Sequence, residues 1–162
     1  MIFSVRARRA AWLAGVAFAG ALGAIGPAAA AGAVEHWEAT SNTAMSITGN
    51  VTFAPDKIVF QNGRSLQLSL VGHETAFKAD GETADAAIYR VTSPADPTLR
   101  NGNHLCGGPG HAVPVTFIAV WVPAALPGDT APRSIAVFSG RDAPRSAGGD
   151  DLCGTFNYDL TG

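Results

Sequence analysis

His104, Cys106 and His111 stand close together in one Gly- and Asn-rich stretch, and imidazole with thiolate is the ligand chemistry of a transition-metal site or of haem iron. The spacing Cys-x4-His has no C-x2-C partner, so no metal site is assigned; His104 and His111 are the residues that would form one. Ser139 in Phe-Ser-Gly-Arg-Asp lacks the G-x-S-x-G context of a hydrolase nucleophile. Gly107-Gly108-Pro109-Gly110 is followed by His111-Ala112 where a phosphate loop needs Lys-Ser/Thr. Asp150-Asp151 lacks the ordered acidic series of a calcium loop. No catalytic residue is assigned and no cofactor is expected. Trp37, Trp121 and Tyr158, the large aromatics best able to line a pocket, are the candidate binding residues together with Arg141, although packing in a core is the plainer explanation of the aromatics.

The elements that would hold these groups begin after an address. Arg6, Arg8 and Arg9 precede an apolar run over residues 11–25, then Gly26-Pro27 and the small-residue tract ending Ala29-Ala30-Ala31. That order is the anatomy of a secretory signal peptide, residues 1–31, with cleavage after Ala31 or Ala33. The stretch 10–31 is nominally long enough to anchor the chain, but it is weakly hydrophobic and the A-x-A site favours removal, leaving no stable membrane anchor. Without the three arginines of the leader, eight of the 11 basic residues face all 13 acidic ones, a net charge of about −5. Such a chain lacks the basic surface that nucleic acid requires. A periplasmic or extracellular location follows from the leader. In that oxidising setting Cys106 and Cys153 are expected to pair, closing a loop worth roughly 4 kcal/mol.

Residues 32–162 read as one domain of strands. Met45, Ile47, Val51 and Phe53 alternate with polar residues over 45–53, with Gly49 marking a bulge or bend. Residues 57–60 and 65–71 flank Gln61-Asn62-Gly63-Arg64, the clearest hairpin signal. The polar stretch 72–85 reads as a loop with one weak strand at 76–79. Further strands are expected at 86–92, stopped by Ser93-Pro94, at 113–122, apolar on both faces and hence the most buried, and at 134–139 and 155–160. A leading strand at 36–41 carries Trp37. About eight short strands with no helical repeat predict an all-β fold, a small antiparallel barrel with a β-sandwich as the alternative. The barrel interior is either filled by side chains or holds one small ligand. Recognition on such a scaffold belongs to the long loops 93–112, 123–133 and 140–153.

Trp37, the run Thr43-Ala44-Met45-Ser46-Ile47-Thr48-Gly49-Asn50, Leu105-Cys106-Gly107, Val120-Trp121 and Leu152-Cys153-Gly154-Thr155-Phe156-Asn157-Tyr158 together resemble a group of uncharacterised exported proteins of Gram-negative bacteria. In export, size, strand number and Cys pair the chain is also similar to small periplasmic barrels of the META-domain and lysozyme-inhibitor kind, which are calycin-like in architecture. The signal segment, the strand alternation, the Cys pair and the lack of a catalytic constellation lead to the expectation of a non-enzymatic binding module, envelope-stress or hydrolase-inhibitor-like, monomeric, with a protein or a small molecule as partner. Two alternatives stay open: a calycin-like carrier of a small apolar or haem ligand, and a metal-binding protein using the loop histidines. The inhibitors' characteristic loop has no counterpart that can be aligned here, so none of their functional residues is carried over.

Overall fold

Trp37, at the centre of β1 (Glu35–Ala39), is buried while its neighbours on either side are exposed, the alternation of a strand with one wet face. The computed structural model describes residues 32–108, 110–125 and 131–161; the leader read at residues 1–31 lies outside them. After β1 the chain forms a short helix, α1 (Asn42–Ile47), where the alternation at 45–53 predicts strand. The correction has a local cause. Ser41 Oγ accepts the Ala44 N–H at 3.2 Å, and the Ala44 carbonyl accepts the N–H groups of both Thr48 and Gly49, so both ends of the short helix are satisfied. Gly49 at φ +61° ends the helix, and a Cβ there would overlap the Gln61 side chain. Met45 is exposed and Ala44 is the buried helix residue; of the apolar series only Val51 and Phe53 are fully buried, both on β2 (Val51–Ala54).

β3 (Lys57–Phe60), the Asn62-Gly63 turn with Gly63 at φ +80°, and β4 (Ser65–Ala79) form the expected hairpin, with Leu66 and Leu68 buried. β4 then continues beyond residue 71 and pairs along its length with β5 (Glu82–Ala95). Residues 72–85 are therefore the far half of a long hairpin, not a loop. Its tip, Asp80-Gly81, has φ +51° and +85°, the two positive values of a primed turn. The stretch is polar because most of its side chains face water; Phe77 and Ala79 are the buried exceptions. β5 also runs through Ser93-Pro94, beyond the expected stop.

A short 3₁₀ turn (Arg100–Gly102) precedes β6 (Val115–Trp121), which is followed by β7 (Pro132–Phe138) and β8 (Leu152–Thr161). Each strand pairs antiparallel with the next. β8 returns to β1, with His36 opposite Thr161 and Ala39 opposite Tyr158, and an eight-strand barrel closes with no free edge.

The barrel packs on both sides of β6, as the two apolar faces of that segment predict. Inside, Ile118 joins Trp37, Phe53, Tyr89, Ile135, Phe156 and Tyr158. Outside, Phe117, Ala119 and Trp121 are covered by Phe77 and Ala79 from the far half of the β4–β5 hairpin, with the Phe77 and Trp121 ring centroids 5.4 Å apart. A long hairpin that returns over its own barrel thus converts an exposed apolar stripe into a second small core. One end of the barrel is plugged by Ala44 of α1 with Leu99 and Leu105. There the buried Thr48 and Tyr158 hydroxyls lie 2.8 Å apart, and burial pushes the Tyr158 phenol up far beyond its ordinary range despite the hydrogen bond with Thr48. Cys106 and Cys153 are joined in a disulfide, Cα atoms 4.6 Å apart, which ties the connection before β6 to the start of β8.

Candidate functional site

Inward-facing positions recur every second residue along a strand, so each series that fills the core must end at a barrel rim. At the unplugged end three of these series finish on a charge. Glu35 precedes Trp37 on β1, Asp85 precedes Ala87 and Tyr89 on β5, and Arg133 precedes Ile135 and Val137 on β7. With His73 of β4 they surround a cavity of about 590 Å³. Trp37 and Phe53 form its floor, and Val120, Trp121 and Val122 form one wall.

Glu35 organises one side of this mouth. Its carboxylate accepts the indole N–H of Trp37 at 2.7 Å and the Arg133 guanidinium through Nε at 3.2 Å and Nη2 at 3.4 Å. Arg133 Nη1 donates to the Pro132 carbonyl at 3.1 Å, which fixes the plane of the fork. Burial alone raises the Glu35 carboxyl, but hydrogen bonds from Arg133 and Trp37 together with the Arg133 charge outweigh it and hold the group below its ordinary 4.5. Burial, with the Glu35 charge behind it, pushes the Tyr89 phenol up. Across the mouth, His73 Nδ1 lies 3.2 Å from Asp85 Oδ1, an exposed pair open to solvent.

The lowered value at Glu35 has a defined consequence for stability. The ionised carboxylate adds stability at pH above 4.5, and that contribution disappears as pH falls below 4.5 through the lower value of the folded state. Urea midpoints measured from pH 6 to pH 2.5 should therefore fall less steeply in Glu35→Gln than in the parent. Parallel profiles would contradict the assignment.

Below the mouth the axis is filled. Trp37 stacks on Phe53 with centroids 4.7 Å apart and planes 12° apart, Phe53 meets Tyr89 edge-on at 5.5 Å, and Trp37 lies 5.8 Å from Tyr158. The space open to a ligand is a cup at the rim, with aromatic rings beneath it.

The residues singled out from the sequence fall in three places. Trp37 and Trp121 line the cup although each is largely buried, and Tyr158 lies deeper, against Thr48. Arg141 is exposed and lines a different cleft with Ser139 and Gly140. His104 is turned onto Asp96, its Nδ1 3.0 Å from the Asp96 carbonyl and 3.7 Å from Oδ2, whereas His111 is exposed. Among the described residues no cluster of three or more His, Cys, Asp or Glu side chains is placed to hold a metal ion. The rim is built from strand ends. The connection 93–112 is instead wound round the buried Asp96 carboxylate, which accepts backbone N–H groups from Leu105 at 2.8 Å, Gly107 at 2.7 Å and Val113 at 3.1 Å, and from Cys106 at 3.4 Å.

Sequence reasoning misses Glu35, Arg133, His73, Asp85 and Asp96. For the rim residues a signal exists: a charge placed two residues from an inward-facing aromatic or aliphatic residue, as in Glu35-x-Trp37 and Arg133-x-Ile135, continues the core face and must sit at its edge. Asp96 has no comparable signature, because its partners are main-chain groups. Comparison of the chain with protein-family models, with curated proteins and with solved structures finds no match.

Proposed function

We propose that this chain is an exported, non-enzymatic binding module of the periplasm or extracellular space that takes its ligand in the mouth of the barrel. The observation that carries the reading is the cup itself: about 590 Å³, an aromatic floor of Trp37 and Phe53, and the Glu35–Arg133 and His73–Asp85 pairs converging from four strands. Apolar surface with a few placed polar groups, in a cavity of several hundred Å³, is the usual composition of a small-ligand site. The disulfide is compatible with an oxidising compartment. A ligand of mixed polarity suits the cup, its apolar part over the rings and its polar part between the ion pairs. The filled axis favours this shallow mode over a carrier that swallows its ligand deep in the barrel.

A protein partner is the second reading, in which the module acts as a hydrolase inhibitor. Val122 in the wall of the mouth is 60% exposed and would be covered by such a partner.

The test is a titration of the uniformly 15N-labelled mature chain with a library of small amphipathic fragments and, separately, with lysozyme, following amide shifts. Binding should move the amides of Glu35, Trp37, Ala87, Val122 and Arg133, and Arg133→Ala should weaken it about tenfold, the loss of one charge-assisted contact. An undisturbed mouth in both titrations would refute the proposal.

A further inference from the structure

A second cleft opens where β5 and β6 part company. Their register runs Ala86 opposite Trp121 through Arg90 opposite Phe117, and the next paired residues are Ala95 and Val115. β5 thus advances five residues while β6 advances two, and the surplus, which includes Pro94 with no N–H to donate, bows away from the ladder. The gap has a volume of about 440 Å³. Pro94, Val113 and Pro114 give it apolar walls, with the buried Val91 behind them, while Arg90, Arg141 and Ser139 supply polar groups.

Among the described residues lining this cleft there are two guanidinium groups and no carboxylate. Of the acids close by, Asp142 lines the neighbouring cleft beside Arg145, and the Asp151 carboxylate lies against Gly140. Arg90 is held in place, its guanidinium carbon 4.5 Å from the centroid of the Phe117 ring, which leaves its N–H edges for another partner. Two cations bordering one slot with apolar walls, in a chain expected to be net negative after export, are a local exception to the charge of the whole.

We propose that the cleft between β5 and β6 binds a small organic anion, a carboxylate or phosphate monoester head between Arg90 and Arg141 with its apolar body against Pro94, Val113 and Pro114. The site is separate from the barrel mouth, so it stands whether or not the mouth binds anything. Guanidinium pairs recognise both oxyanion heads through paired N–H donors, and the apolar wall distinguishes such a ligand from a free inorganic ion.

Four probes test it against the labelled mature chain at low ionic strength: hexanoate, hexyl phosphate, inorganic phosphate and hexylammonium. Hexanoate or hexyl phosphate should shift the amides of Arg90, Val91, Val113, Thr116, Ser139 and Arg141 saturably. Inorganic phosphate should bind at least tenfold more weakly than hexyl phosphate, and hexylammonium should leave these amides unmoved. Arg141→Glu should abolish the response while leaving the urea midpoint unchanged, since Arg141 is exposed; Arg90→Gln should weaken binding about tenfold. The proposal fails if neither organic anion shifts these amides, if the cation shifts them equally, if inorganic phosphate binds as well as its hexyl ester, or if Arg141→Glu binds like the parent. Shifts confined to the mouth would also overturn it, and would leave the function proposed for the mouth intact.

Discussion

Opening the Cys106–Cys153 bond should lower the stability of the barrel domain by about 4 kcal/mol, the chain-entropy value for a loop of this length. The bridge spans 47 positions, so the reduced, unfolded chain regains the freedom of the whole segment that includes β6 and β7. It is also the covalent tie between the connection wound round Asp96 and the first residues of β8. Both half-cystines are half-buried and pack against the inner core, so their replacement adds a packing loss to the entropic one. The measurement is urea unfolding of the parent with and without reductant, beside the double variant Cys106→Ser/Cys153→Ser. A transition displaced by roughly 10–20 °C in thermal melts, the equivalent of the free-energy loss for a domain of this size, is the expected companion result. A loss under about 1 kcal/mol would mean that the unfolded chain is already compact across this segment.

Asp96→Ala should cost about 3 kcal/mol, the second largest effect expected of a small change in this molecule. The carboxylate is buried and takes N–H groups from Leu105, Gly107 and Val113, with Cys106 slightly longer; truncation leaves those donors facing a void. His104 keeps its contact with the main-chain carbonyl of residue 96 and loses only the carboxylate oxygen 3.7 Å away. Asp96→Asn should fall between parent and Asp96→Ala, because the amide keeps one oxygen acceptor but presents an NH₂ to N–H groups. Because Asp96 and the disulfide order the same connection, their losses should not add: the combined variant should be destabilised by less than the sum of the two. Hydrogen exchange gives the local readout. The amides of Leu105, Gly107 and Val113 should lose protection in Asp96→Ala while those of β2 and β3 keep theirs. Full additivity, or an unchanged exchange pattern at Leu105 and Gly107, would place the function of Asp96 elsewhere.

Most of the barrel is readable because a strand with one wet face prints its period on the residues. The Asn62-Gly63 hairpin, the doubly apolar β6 and the last strand, with Phe156 and Tyr158 buried, all follow from alternation and turn chemistry. Two stretches mislead for physical reasons. At 45–48 the spacing of Met45 and Ile47 imitates a strand, but the capping hydroxyl of Ser41 and the left-handed Gly49 favour one short helix. At 72–85 the polarity imitates a loop, because a hairpin that lies over the outside of the barrel needs only Phe77 and Ala79 to be apolar. The Asp80-Gly81 turn signal is present there and is outweighed by composition.

Of the candidate sites, the aromatic lining of the mouth is legible in part, since Trp37 in its floor and Trp121 in its wall stand out by type. Their charged neighbours are not, because Glu35, Asp85 and Arg133 are far apart in the chain and gain a common purpose only at one rim.

Local patterns suffice for the all-β class, the Asn-Gly hairpin, the two-sided burial of β6 and the cysteine pairing expected on export, because each rests on periodicity, turn geometry or a count of two thiols. Where the barrel closes, which hairpin covers its outer face, which carboxylate organises the loop before β6 and which charges meet at the mouth emerge only on folding. Those depend on the shear and curvature of a closed sheet, which bring together residues separated by most of the chain, and no local pattern encodes that distance.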